Sequence, residues 1–378
     1  MNMATRIDSG LSALQEEIGR FAEVEALPRL QSVGEFPLEL WRKMGEAGLL
    51  GLGLPVAYGG SGGGWLSIQA ATEAFVHKGH NLGMALSWLI HMMVSRFALL
   101  GSGTSRQIEQ WLPRLAAGET TLSLAISERG AGAHPGHMTA RAIRGAGEWV
   151  LTGEKTFLTN GPLAGLFIVL AVTATAGERK QLTAFLVRRD AAGFSLTDPI
   201  PLGFLKPSPH CGLRLDHCAV PFDQVLGEPG SAFEKISKPF RELEDAMLMG
   251  PVAGGMAAQI EFLSMQFAGR KIGATASLSA TLGELQARLD ALRIIAYEAA
   301  AMLDSGRSHP EFTSLLLSFR FLARHFQSVL AGFLEQAEIP DDPSLATLTK
   351  DLEMTVGVAE NVALIKQRRI GEALLRKG

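Results

Sequence analysis

Residues 121–173 read TLSLAISERGAGAHPGHMTARAIRGAGEWVLTGEKTFLTNGPLAGLFIVLAVT, and this stretch decides the fold. Short apolar runs alternate with breaks rich in Gly, Pro and Asn. Leu122, Leu124 and Ile126 alternate along one run, Trp149 and Leu151 lead into Thr152-Gly153, and Phe157 to Thr159 close on Asn160-Gly161-Pro162. That rhythm predicts short strands joined by tight turns, because a strand exposes alternate residues to opposite faces. On either side the apolar residues recur at helical spacing. Leu11, Leu14, Ile18 and Phe21 do so before it, and four long amphipathic segments (240–267, 280–303, 310–334 and 352–376) follow it. The expectation is a β module set between helical regions, with the last four segments forming an antiparallel bundle.

The bulk numbers narrow the function. A chain of 378 residues, 47% hydrophobic and 19% charged, can bury a sizeable core. A net charge of −3 offers no electrostatic footprint for nucleic acid. The apolar runs 163–172 and 81–95 are too short or too interrupted to read as membrane spans, so no membrane partner is expected. Residues 1–34 carry charges throughout and do not read as a signal peptide, which makes the cytoplasm the expected location. Cys211 and Cys218 lack metal-site spacing and read as reduced, part-buried small residues. The glycine cluster 59–64 lacks the strand-loop-helix order of a dinucleotide fingerprint, and Gly153-Glu154-Lys155-Thr156 is spaced wrongly for a phosphate loop.

Two segments carry a resemblance. Ser127-Glu128-Arg129-Gly130-Ala131-Gly132 is similar to the Thr-Glu-Pro-Gly-Ala-Gly of the acyl-CoA dehydrogenase superfamily, and Gly153–Gly161 resembles its Gly-Glu-Lys-x-Trp-Ile-Thr-Asn-Gly. The likeness implies an α+β multidomain fold: an N-terminal α-helical domain (1–120), a central β-barrel (121–229) and a C-terminal four-helix bundle (230–378). It also implies FAD as cofactor, an acyl thioester on CoA or a carrier protein as substrate, and an electron-transfer flavoprotein as electron acceptor. A homodimer or homotetramer would be expected, in line with the apolar residues Leu315 to Leu317, Phe319 and Phe321-Leu322 on one bundle segment.

Desaturating a thioester between its α and β carbons needs a carboxylate to take the α proton and a flavin to accept the β hydride. By resemblance, Leu124, Ile126, Ser127, Phe157 and Thr159 would contact the flavin, with Thr159 beside its N5, and Arg270 would meet its pyrophosphate. Two glutamates are candidates for the base: Glu360 first, counted back from Ile370–Leu375, and Glu244 second, on the first bundle helix where some members place it.

The departures from the family pattern bear on substrate. Asp245 stands where an arginine near CoA is usual, and Ala133-His134 replaces a Ser-Asp pair. A carboxylate there is expected to repel CoA phosphates and disfavour simple acyl-CoAs. The Gly-Gly-x-Gly loop expected near 330–345 is represented by Gly332 alone. Two other readings accompany dehydrogenation: a flavin-dependent monooxygenase of the same superfamily, and a non-catalytic protein that kept the fold.

Overall fold

The computed structural model describes residues 9–30, 34–177, 179–268, 276–307, 309–336, 342–358 and 360–376. Helices come first: α1 (Ser9–Phe21), α2 (Leu27–Leu30), α3 (Leu38–Glu46), α4 (Trp65–Gly79), α5 (Leu82–Met93) and α6 (Ser105–Ala116). Strands follow: β1 (Leu122–Ala125), β2 (Arg141–Arg144), β3 (Glu148–Thr159), β4 (Leu166–Ala176), β5 (Arg179–Arg188), β6 (Phe194–Leu196), β7 (His210–Pro221) and β8 (Val225–Leu226). The chain then returns to helices α7 (Lys238–Met247), α8 (Met249–Ala268), α9 (Ala276–Ser305), α10 (Phe312–Gln336), α11 (Pro343–Gly357) and α12 (Glu360–Leu375).

Two compact units emerge, each taking separated stretches of chain. One comprises Met1–Ser32, Trp65–Ala85 and Asp245–Gly378; the other comprises Val33–Gly64 and Leu86–Glu244.

In the second unit the strands form one sheet in the order β6-β7-β3-β2-β4-β5-β8, with β1 added in parallel to β4 through Leu122↔Leu166. The long strands β3 and β7 pair antiparallel, with Thr159 opposite His210 at one end. Leu151, Leu158, Phe167, Phe185 and Leu213 meet in one buried cluster, so the sheet curls about a common core. Its terminal strands β6 and β8 do not pair with each other among the described residues. Cys211 and Cys218 are free thiols buried in this unit, and burial pushes both up to about 11. Strand β3 is not regular: its register with β7 shifts between Lys155 and Leu158, and Phe157 there has φ of 55°. The local irregularity turns the Phe157 ring outward, where it is 58% exposed.

In the first unit α4 lies against α8 at glycine contacts. A Cβ on Gly254 would sit 2.2 Å from the Glu73 carbonyl oxygen, so only glycine allows this approach. Buried Glu73 accepts hydrogen bonds from Arg293 Nε (2.6 Å) and Tyr297 Oη (2.8 Å) of α9. The single segment expected over 352–376 is instead parts of two helices. Helix α11 stops at Gly357 and Val358 turns extended (φ −57°, ψ 141°), which ends the hydrogen-bond ladder before α12 begins. The apolar stretch Leu82–Leu100 is long enough to cross a membrane but is 89% buried, consistent with a core helix.

Candidate active site

The site is built on the loop between β1 and β2. Glu128 is buried on that loop and its two carboxylate oxygens accept hydrogen bonds from four donors: Thr139 N (2.7 Å), Thr139 Oγ1 (2.7 Å), Ala140 N (3.0 Å) and Lys155 Nζ (2.9 Å). Lys155, on β3, has a fully buried side chain and also donates to the Ile126 carbonyl at 3.0 Å. Burial opposes ionisation of Glu128, but the Lys155 ammonium and the hydrogen bonds outweigh it and hold its carboxyl below the usual range. A hydrogen bond from Thr156 N to Ser127 O (2.9 Å) completes the clamp between loop and strand. The quoted motifs are thus joined to each other, Glu128 of one to Lys155 of the other.

This clamp sets one wall of a cleft of about 610 Å³, counting its open mouth. Leu124, Ile126, Ser127, Ala133, Phe157 and Thr159 all line it, which brings together six of the residues selected from sequence. The lining also includes Ser237, just before α7, and Phe240, Arg241 and Glu244 on it, which fall at the three- and four-residue spacings of one helix face. Thr159 is fixed at both ends. Its carbonyl accepts from Ser123 Oγ at 2.8 Å, and its hydroxyl is 3.0 Å from His210 Nε2. A shelf bearing an exposed aromatic ring, a hydroxyl and strand-edge backbone suits a flat heteroaromatic ligand with polar edges.

The other candidates lie elsewhere. Glu360 opens α12 in the first unit, 61% exposed, with a 3.1 Å ion pair to Arg324. Asp245 borders a separate pocket within the first unit, with Leu248, Met249, Arg320 and Lys366 among its lining. Lys366 Nζ pairs with Asp245 at 2.7 Å. That corrects the expectation of a bare repelling carboxylate, because the neighbouring ammonium cancels most of its field. Arg320 donates to the Val358 carbonyl at 2.6 Å. Arg270 lies outside the described residues, as do 337–341 of the expected glycine loop.

Sequence reasoning passed over Ile90, Thr156, Ser237, Phe240, Arg241 and His210. The helix-face spacing of 237, 240, 241 and 244 was readable. The approach of His210 to Thr159 depends on the β3–β7 register, which no local pattern encodes.

Comparison with known proteins agrees with this architecture. Residues 10–119 match the acyl-CoA dehydrogenase N-terminal domain and residues 123–218 the acyl-CoA dehydrogenase middle domain. The chain is 30% identical over 316 residues to the mitochondrial 2-methylacyl-CoA dehydrogenase of Solanum tuberosum, covering 81% of this chain and 76% of that protein. It is 31% identical over 278 residues to the L-prolyl-[peptidyl-carrier protein] dehydrogenase of Pseudomonas fluorescens, covering 72% and 73%. Its fold matches the FAD complex of PigA with a TM-score of 0.85 at 23% identity, over 100% of both chains. The two motifs clamped at the cleft therefore sit inside a likeness that spans most of the sequence, and the chain belongs to the acyl-CoA dehydrogenase family.

Proposed function

We propose that the protein is an FAD-dependent dehydrogenase that desaturates an acyl thioester between Cα and Cβ, with Glu244 as the base. The observation that carries this reading is the shared cleft, in which Glu244 faces the same space as Ser127, Phe157 and Thr159. These residues fit the flavin: the outward Phe157 ring offers a stacking face, and the hydroxyls of Ser127 and Thr159 offer partners for its polar edge. When bound, the flavin supplies the two-electron acceptor.

The chain's own residues do the rest. The Glu244 carboxylate takes the Cα proton, and the neighbouring Ile90 and Phe240 limit water beside it. The clamp between Glu128 and Lys155 holds the β1–β2 loop against β3, which steadies the wall that carries Ser127, Phe157 and Thr159. The likeness to one CoA-linked and one carrier-protein-linked dehydrogenase supports an acyl thioester as substrate. An electron-transfer flavoprotein would take up the reducing equivalents, as the resemblance implies. The exposed Leu364, Ile365, Leu374 and Leu375 on α12 support association into a homodimer or homotetramer, which light scattering at micromolar concentration reads directly.

The test is the visible spectrum of the FAD-loaded protein mixed anaerobically with butyryl-, octanoyl- and palmitoyl-CoA and with acyl carrier proteins. At least one thioester bleaches the flavin band. Glu244→Gln retains the flavin but bleaches roughly a hundredfold or more slowly, the usual cost of losing a general base, while Glu360→Gln behaves as wild type. Protein that neither takes up FAD nor is stabilised by it refutes the reading. Normal bleaching by Glu244→Gln refutes the assignment of the base.

A further inference from the structure

We infer that His210 is a positioning residue that makes Thr159 a hydrogen-bond acceptor towards the cleft, and that this favours reduced over oxidised flavin there. The inference rests on the proposal that the cleft holds FAD.

His210 opens β7 opposite Thr159, and its ring is held at both nitrogens. Nδ1 lies 3.1 Å from the carbonyl oxygen of Ser208, and a carbonyl can only accept, so Nδ1 carries a proton. Burial lowers the ring's basicity, more than the Ser208 hydrogen bond raises it, and keeps the ring neutral at neutral pH. A neutral ring has one proton, so Nε2 is bare. The Thr159 hydroxyl, 3.0 Å away, must donate its own proton to Nε2. Its rotor is thereby fixed, and what Thr159 has left for the cleft is oxygen lone pairs.

An unconstrained threonine could turn to suit either a donor or an acceptor. This one suits only a donor. The oxidised isoalloxazine ring offers acceptors at N5, N1 and its two carbonyls, and a single donor at N3–H. Reduction adds a proton at N5, turning an acceptor into a donor. If Thr159 stands beside N5, as the resemblance implies, the reduced ring would gain a hydrogen bond and the oxidised ring would face two opposed lone pairs. One neutral hydrogen bond gained in this way is worth up to about tenfold in relative affinity, which for a two-electron couple is about 30 mV.

Two measurements test this. The first uses flavin-free protein labelled with ¹⁵N at histidine. Long-range ¹H–¹⁵N spectra should show His210 protonated at Nδ1 and bare at Nε2; a proton on Nε2 overturns the inference whatever the cofactor does. The second is the midpoint potential of bound FAD in wild type, His210→Phe, Thr159→Val and the double variant. His210→Phe frees the hydroxyl to donate to the oxidised ring, so its potential should fall by about 30 mV. In the Thr159→Val background the same change should add nothing, since the residue acts through that hydroxyl. An unchanged potential in His210→Phe, or an equal fall without Thr159, refutes the inference. The first result would also be seen if Thr159 met N3–H, which is the same in both redox states. Wild-type protein that takes up no FAD removes the underlying reading, and the tautomer measurement still decides how the two side chains share their protons.

Discussion

Replacing Lys155 with methionine should destabilise the protein at neutral pH and far less in mild acid. Methionine fills the buried stem of the lysine but leaves Glu128 a carboxylate with three remaining hydrogen bonds and no cation. It also leaves the Ile126 carbonyl without the ammonium that it now accepts from. Breaking one side of a buried ion pair typically costs about 3–5 kcal/mol. The least costly escape for the orphaned carboxylate is to take up a proton. From an ordinary glutamate pKa near 4.3, that costs about 3.7 kcal/mol at pH 7 but only about 1 kcal/mol at pH 5. The sign differs from wild type, where the Glu128 carboxyl is held below the usual range. There the pair contributes stability that is present above about pH 4.5 and is lost as pH falls further. In Lys155→Met the folded-state pKa is raised instead, so the penalty is largest at high pH. Urea unfolding followed by tryptophan fluorescence at pH 7 and pH 5 gives both values. The double change Glu128→Gln with Lys155→Met carries no buried charge and should be more stable at pH 7 than Lys155→Met alone. A deficit in Lys155→Met that is equal at both pH values, or a double variant no better than the single, would show that the clamp is not held by charge.

Two further outcomes follow from other buried groups. Burial pushes His91 down to about 4, so the folded state refuses a proton that the unfolded chain accepts. Stability should fall by about 3 kcal/mol as pH drops from 6.5 to 4, and His91→Met should flatten that limb in a pH series of melting temperatures. At the crossing of α4 and α8, Gly254→Ala places a methyl against the Glu73 carbonyl and should cost about 1–3 kcal/mol. An unchanged urea midpoint would show that the helices can separate freely there.

The fold was largely legible because its signals are local. Alternating apolar residues between Gly and Asn turns mark β1, β3 and β7, and periodic leucines mark the helices around them. The break at Val358 was not, since residues 352–376 keep helical periodicity across it and nothing at Gly357 forces an end. The site divides along the same line. Ser127, Phe157 and Thr159 were readable because each sits in a contiguous motif whose spacing a strand preserves. The base is not legible at this level, because Glu360 and Glu244 are both glutamates on helices. Glu244 shares a helix face with Ser237, Phe240 and Arg241 that lines the cleft within its own unit, whereas Glu360, in the other unit, pairs with Arg324. The partners of Asp245 and Thr159 were hidden for a related reason. Lys366 beside Asp245 lies 121 residues away along the chain, and His210 beside Thr159 lies 51 away. A single sequence shows which residue types are available at such distances, but only the register of β3 on β7, or the approach of Lys366 to Asp245, shows which of them share a proton or cancel a charge.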